Sequence, residues 1–352
     1  MRRVIPVRRC LIACFLLLVA VNLAACAPRL QPSGEWARGE WASGTLAPAA
    51  LLPQESWRAE DGRVLPLHYW PAAGKTQAVL IALHGFNDYG NAFADPAAYW
   101  AQHDGITTYA PDQRGFGASP YTGLWPGADV LADDLLQLTR LLRQRHPGLP
   151  VYWLGESMGG AVALFALERM GVESRPDGVV LSAPAVWGRA SMPVSYRVAL
   201  TLTSYTIPWM TFSGRGLGIQ ASDNIPMLRR LGADPLVIKR TRVDAIHGLV
   251  GLMDKAAASP GMLGDNPPPL LVLYGLRDEV IPKPPVERFV AALGWRARVA
   301  LYDSGWHMLL RDLQAEKVWR DLAAWMKNTA AALPSGAETA RRPLFAADGG
   351  KE

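Results

Sequence analysis

Cysteine is scarce in this 352-residue chain: there are three, Cys10, Cys14 and Cys26, all near the N-terminus. The body therefore has no thiols to form a disulfide framework, and no His, Cys and Asp residues recur at metal-ligand spacing. Neither a metal nor a cofactor is expected, since no glycine-rich dinucleotide motif follows the first apolar run either. Charge is sparse, at 19% of residues, while 50% are hydrophobic, a balance that excludes a disordered chain and points to a folded body. Internal repeats are absent, and the chain is long enough for one large domain or two small ones.

The formal charge of +5 suggests a polyanion partner until its source is found. Arg2, Arg3, Arg8 and Arg9 precede an apolar run from Leu11 to Ala25 that is too short for a comfortable membrane span and reads as an export leader. Its removal takes four arginines and no acid, which lowers +5 to +1 and leaves nucleic acid without support as a partner. Leu23-Ala24-Ala25-Cys26 is similar to the lipobox of bacterial lipoproteins. That resemblance implies cleavage before Cys26, lipid attachment to it and membrane retention; Ala27, in place of aspartate, implies the outer membrane of a bacterium with two membranes. The alternatives are an ordinary secretory signal with an incidental Cys26, and a one-pass anchor. Residues 1–25 are thus expected as a signal peptide, 26–55 as a tether, 56–330 as the folded domain and 331–352 as a flexible tail.

Within that domain, "AVLIALHG" (Ala78 to Gly85) is a continuous apolar run ending in glycine, the pattern of a buried parallel strand. "GITTYAPD", "VYWLGES", "GVVLSAP", "LLVLYG" and "RVALYDSG" supply more strands, each closed by Gly, Ser, Pro or Asp. Helical patterns lie between them: Leu131, Leu135, Leu138 and Leu142 form one stripe, Gly159 to Met170 another, and Trp319, Leu322, Ala323 and Trp325 a last. The alternation predicts an α/β fold with a mainly parallel sheet flanked by helices. From about Val186 to Pro260 no clean strand is visible, and a segment that long is predicted to be a helical cap inserted between core strands. Its run of Tyr196, Leu200, Leu202, Tyr205, Ile207, Trp209, Met210 and Phe212 is either packing of cap on core or a greasy channel.

"GESMGG" (Gly155 to Gly160) joins a strand pattern to a helix pattern, with Gly155 and Gly159 two residues either side of Ser157. A nucleophile on such a turn needs both glycines, because flanking side chains would collide across it. A serine hydroxyl also needs a base, and on this fold the order is serine, acid, histidine. Of six histidines only His247 and His307 follow Ser157; His247 lies in the cap, whereas His307 sits in "DSGWHMLL" just past the last strand. Asp278, three residues past Gly275, is the candidate acid. Asp303 is its rival, with Asp254 and Asp265 further off. Two backbone N–H groups should hold an oxyanion, one from Met158 and one from the loop after the first apolar run, at Phe86. His84 is expected to brace that loop.

Taken together, "LHGFNDYGNAF", "YAPDQRGFGAS", "GESMGGAVAL", "YGLRDEVIP" and "GWHMLL" resemble the α/β-hydrolase family of monoacylglycerol lipases and lysophospholipases, with its serine aminopeptidase S33-like relatives. The resemblance runs from about Trp57 to Lys327 and is loosest over the cap. It implies an α/β-hydrolase fold and the same Ser157, Asp278 and His307, and it makes Asp112 and Arg114 loop braces. "HGFN" stands where some lipases carry a glycine-rich loop. The expected activity is cleavage of carboxylic esters of single-acyl-chain lipids through an acyl-enzyme on Ser157, with a small-ester hydrolase or serine peptidase on the same fold, or an idle lipoprotein scaffold, as the alternatives.

Overall fold

A nine-stranded sheet runs in the order β1 (Ala50–Leu52), β2 (Ser56–Arg58), β3 (Val64–Trp70), β5 (Ile106–Pro111), β4 (Ala78–Leu83), β6 (Val151–Glu156), β7 (Gly178–Ser182), β10 (Leu270–Gly275), β11 (Ala297–Tyr302). This computed structural model describes residues 27–31, 50–52, 56–214, 216 and 218–338. The expected leader, Cys26, most of the expected tether and residues 339–352 lie outside the described residues. From β5 to β11 every pairing is parallel; β1, β2 and β3 extend one edge by antiparallel pairing.

The pleat sorts the apolar runs into two cores. In β4, Val79, Ile81 and Leu83 face one core, while Ala78, Leu80 and Ala82 face the other. Trp153 and Tyr152 divide in the same way in β6, as do Val272 and Leu271 in β10. Both faces are covered, which explains why these strands read as continuous apolar runs rather than alternating ones.

Helices α2 (Ala128–Arg145) and α3 (Met158–Leu167) cover the first face, and α1 (Ala94–His103) contributes Trp100 to the second. The leucine stripe of α2 is buried as its spacing predicts. Further along, α7 (Lys283–Leu293) joins the first face, and α8 (Ala315–Lys327) brings Leu322 and Trp325 to the second. Parallel pairing brings the C-terminal ends of β4, β6, β10 and β11 to one sheet edge.

Between β7 and β10 lies the insertion: α4 (Val194–Thr206), α5 (Ile225–Ala233) and α6 (Val243–Ala258). It departs from the sequence reading in one respect. Two-residue strands β8 (Thr211–Phe212) and β9 (Thr241–Arg242) pair as an antiparallel ribbon, too short to leave a periodic signal. Two further segments, expected as tether and tail, are docked on the body. Gln31 is buried, its N–H donating to the Trp125 carbonyl at 2.9 Å and its side-chain amide to that of Leu124 at 2.8 Å. At the other end, Leu301 N–H donates to the Ala337 carbonyl at 2.9 Å, and Glu338 pairs with Arg298. Main-chain pairing with a loop or a strand already in place needs no apolar period, so composition does not show it.

Candidate active site

Ser157 sits between β6 and α3 with φ 53° and ψ −112°, a conformation that side chains rarely adopt. The glycines around it show how tight this turn is. A Cβ on Gly155 would lie 2.4 Å from the Gly159 carbonyl, and one on Gly159 would lie 2.1 Å from the Leu83 carbonyl oxygen. Ser157 N–H donates to the Ser182 carbonyl at 2.9 Å, and its own carbonyl accepts from Ala185 N–H at 3.0 Å, so neighbouring β7 fixes the strained residue. The positive end of α3 points at the same place.

Asp278 and His307 come to this edge from the loops after β10 and β11. Asp278 Oδ1 accepts from the N–H groups of Val280 (2.7 Å) and Ile281 (3.0 Å), which leaves Oδ2 to face His307 Nδ1 at 2.9 Å. A carboxylate can only accept there, so Nδ1 carries the proton and Nε2 keeps its lone pair, the tautomer of a base. Burial works against the charged imidazole, but the charge and hydrogen bond of Asp278, with the Glu156 carboxylate, together outweigh it, and the His307 pKa is raised above its ordinary value. Asp303, the rival acid, is exposed and makes no hydrogen bond to His307 among the described residues. In the insertion, His247 packs edge-on against Tyr205 with ring centroids 6.0 Å apart.

The loop after β4 passes beside the elbow: a Cβ on Gly85 would lie 3.4 Å from Ser157 Cβ. Phe86 is anchored by its ring, edge-on to Phe116 at 5.4 Å and tilted to Trp125 at 6.3 Å. Met158 is the first residue of α3, so its N–H has no intrahelical acceptor. His84 braces this loop as its position suggested. Its Nδ1–H donates to the Gly85 carbonyl at 2.8 Å, and Nε2 accepts from Gln113 N–H at 3.0 Å. Burial pushes the His84 pKa down, which keeps the ring neutral and able to do both. Asp112 ties its own loop to β3 through His68 and to the loop after β4 through Gly90 N–H, and also accepts from Ala118 N–H, while Arg114 forks onto Asp134 and Asp61.

The same loop is also held by the insertion. Asn87, at φ 68°, accepts from Ile238 N–H at 2.9 Å and donates its side-chain amide to Thr241 Oγ1 at 2.7 Å. Tyr89 donates its hydroxyl to Asp234 at 2.8 Å.

Sequence reasoning missed a buried ionic cluster below these groups. The Arg311 guanidinium donates to Asp88 Oδ2 at 2.7 Å and to Glu156 Oε1 at 2.6 Å. Asp88 lies in "HGFND", Glu156 in "GES" and Arg311 four residues past His307 in "HMLLRD", and an ionisable residue in or next to a motif is the one signal that marked them. Asp312, next to Arg311, accepts from Trp306 N–H at 2.8 Å and Ser222 Oγ at 2.6 Å, and burial raises its pKa to about 6. No group of His, Cys, Asp and Glu among the described residues could hold a metal ion.

A mainly parallel sheet, an insertion after β7 and a serine at a strained strand-to-helix turn define an α/β-hydrolase. The sequence model of the family described as serine aminopeptidase, S33, matches residues 74–314, more than half of the chain, which therefore belongs to that family. The monoglyceride lipase of Mus musculus is 26% identical over 282 residues, covering 78% of this chain and 91% of the relative. The monoacylglycerol lipase of Mycolicibacterium smegmatis is 24% identical, over 73% and 90%. Among solved structures, a soluble variant of the Saccharomyces cerevisiae monoglyceride lipase in complex with a substrate analog superposes with a TM-score of 0.66 at 18% identity, over 79% of this chain and 96% of that one. The chain is a hydrolase of the lipase/esterase type.

Proposed function

We propose that this hydrolase cleaves carboxylic esters of single-acyl-chain lipids, monoacylglycerols or lysophospholipids, through an acyl-enzyme on Ser157. The observation that carries the reading is the 2.9 Å pairing of His307 Nδ1 with Asp278 Oδ2, at the sheet edge that also holds Ser157 in its strained turn. Ser157 Oγ attacks the ester carbonyl carbon as its proton passes to His307 Nε2. The carbonyl oxygen gains the negative charge between the N–H groups of Met158 and Phe86. The imidazolium, balanced by Asp278, gives its proton to the departing alkoxide. Water then attacks the acyl carbon, its proton passing through His307 back to Ser157 Oγ, and the fatty acid leaves.

Two observations support a lipid substrate. The relatives named above are monoglyceride and monoacylglycerol lipases. In the insertion Leu200 packs against the core, but Tyr196, Leu202, Tyr205, Trp209, Met210 and Phe212 are exposed, so most of this apolar run forms an outward face. Retention on a membrane through a lipidated Cys26 fits that placement and belongs to the same proposal; a Cys26→Ser chain that stays membrane-bound with labelled palmitate attached would refute it. Each methylene buried contributes about 0.8 kcal/mol, so four more carbons favour binding by roughly 3 kcal/mol, on the order of a hundredfold. kcat/KM measured from acetyl to medium-chain monoacyl esters is expected to climb accordingly, and a fluorophosphonate probe is expected to label wild type but not Ser157→Ala. A flat or falling profile, or better turnover of aminoacyl amides, would favour a small-ester hydrolase or peptidase.

A further inference from the structure

The Arg311 side chain is buried, yet it belongs to the turn that carries His307 and reaches two other segments. Asp88 lies two residues beyond Phe86, and Glu156 immediately precedes Ser157. We propose that Arg311 is a positioning residue that fixes the loops of oxyanion donor, nucleophile and base against one another through a single guanidinium. The inference rests on the roles proposed for Ser157, His307 and Phe86, and adds to them a residue that touches neither substrate nor reacting atom.

Geometry and charge both require the bridge. The planar fork of arginine can donate to two carboxylates at once, which a point-charge ammonium cannot do with the same rigidity. Removing it would leave Asp88 and Glu156 as buried carboxylates without their cation, an arrangement that loops relieve by moving apart. Loop displacements of about 1 Å cost on the order of 10²-fold in turnover where reacting groups must align. His307 feels this cluster directly. Facing it are Asp278 from the loop after β10, Glu156 from the end of β6, and Arg311 from its own turn, with Asp88 and Asp312 one contact further away. Asp278 and Glu156 favour the imidazolium and Arg311 opposes it.

The opposite signs give a test that simple loss of packing would not imitate. In the purified full chain, with p-nitrophenyl butyrate as substrate, Arg311→Met is expected to lower kcat by roughly 10²-fold. The acid limb of its kcat/KM profile should move to higher pH, because His307 loses a repelling cation. Arg311→Lys should return the limb towards wild type while recovering only part of kcat. Glu156→Gln, which keeps the shape and an acceptor for Arg311, should move the limb to lower pH, and it keeps the test decisive if Arg311→Met does not fold. Limbs that stay in place in the folded variants, or Lys no better than Met, would overturn the inference while fluorophosphonate labelling at Ser157 keeps the parent reading standing. A wild type unlabelled at Ser157 would overturn both.

Discussion

Changing Asp278 to asparagine alters one atom, and the hydrogen bonds around that carboxyl determine the outcome. Oδ1 is held by the N–H groups of Val280 and Ile281, and Oδ2 faces His307 Nδ1. An amide can leave its oxygen on the two N–H donors, but its NH₂ then points at Nδ1 and forces the proton onto Nε2. That tautomer cannot take a proton from Ser157. Flipped, the amide presents oxygen to Nδ1 but sets NH₂ against two N–H donors, losing two hydrogen bonds of about 1 kcal/mol each. The competent rotamer is then populated at roughly one part in thirty or less. The imidazolium formed during reaction also loses its counter-charge, and the combined loss should approach 10⁴-fold in kcat. Because Asp278 raises the His307 pKa, residual activity should extend to lower pH than in wild type. Steady-state hydrolysis of p-nitrophenyl butyrate measures this, with melting temperature as the check on folding. Asp303→Asn, at an exposed site, is the control and should cost little. An Asp278→Asn enzyme within tenfold of wild type, or a more damaged Asp303→Asn, would refute the assignment.

Gly159→Ala puts a Cβ 2.1 Å from the backbone oxygen of Leu83 at the sheet centre, an overpacking expected to cost about 1–3 kcal/mol and roughly 10²-fold in kcat; Gly251→Ala, in α6 with nothing within 4 Å, should be neutral or stabilising by up to about 1 kcal/mol. Equal melting temperatures for the two would defeat that reasoning. Burial raises the Asp312 pKa from 3.8 to about 6, so the folded state takes up this proton first and gains stability as pH falls from 6 towards 3.8. The advantage of Asp312→Asn over wild type in melting temperature should therefore be larger at pH 7 than at pH 4.5, and a difference that grows on acidification would contradict the sign.

What the sequence revealed was local. The strands were legible because burial on both faces makes each a short apolar run closed by a turn residue, as in β4 and β10. The elbow was legible because its glycines are dictated by contacts within a few residues of Ser157 and by one carbonyl of β4. His307 and Asp278 followed from chain order and strand ends, which topology converts into proximity. Arg311 did not follow, because its partners are 155 and 223 residues away and no periodicity links an arginine to distant acids. The ribbon of β8 and β9 is too short to show a pattern. The docking of Gln31 and Glu338 depends on carbonyls and side chains of a surface that exists only once the domain has folded.

The hydrogen bonds that join Asn87 and Tyr89 with Ile238, Thr241 and Asp234 mean that the insertion is not an exchangeable module. A chimaera that took this segment from a relative to redirect substrate preference would also replace the partners that hold the loop bearing Phe86. Specificity and rate would then change together, however well the foreign segment folded. A graft that keeps the stretch from Asp234 to Thr241 in place, and exchanges only α4 and the turn after it, separates the two. The stretch from Asp234 to Thr241 is tied to the loop it holds, a constraint that α4 does not share.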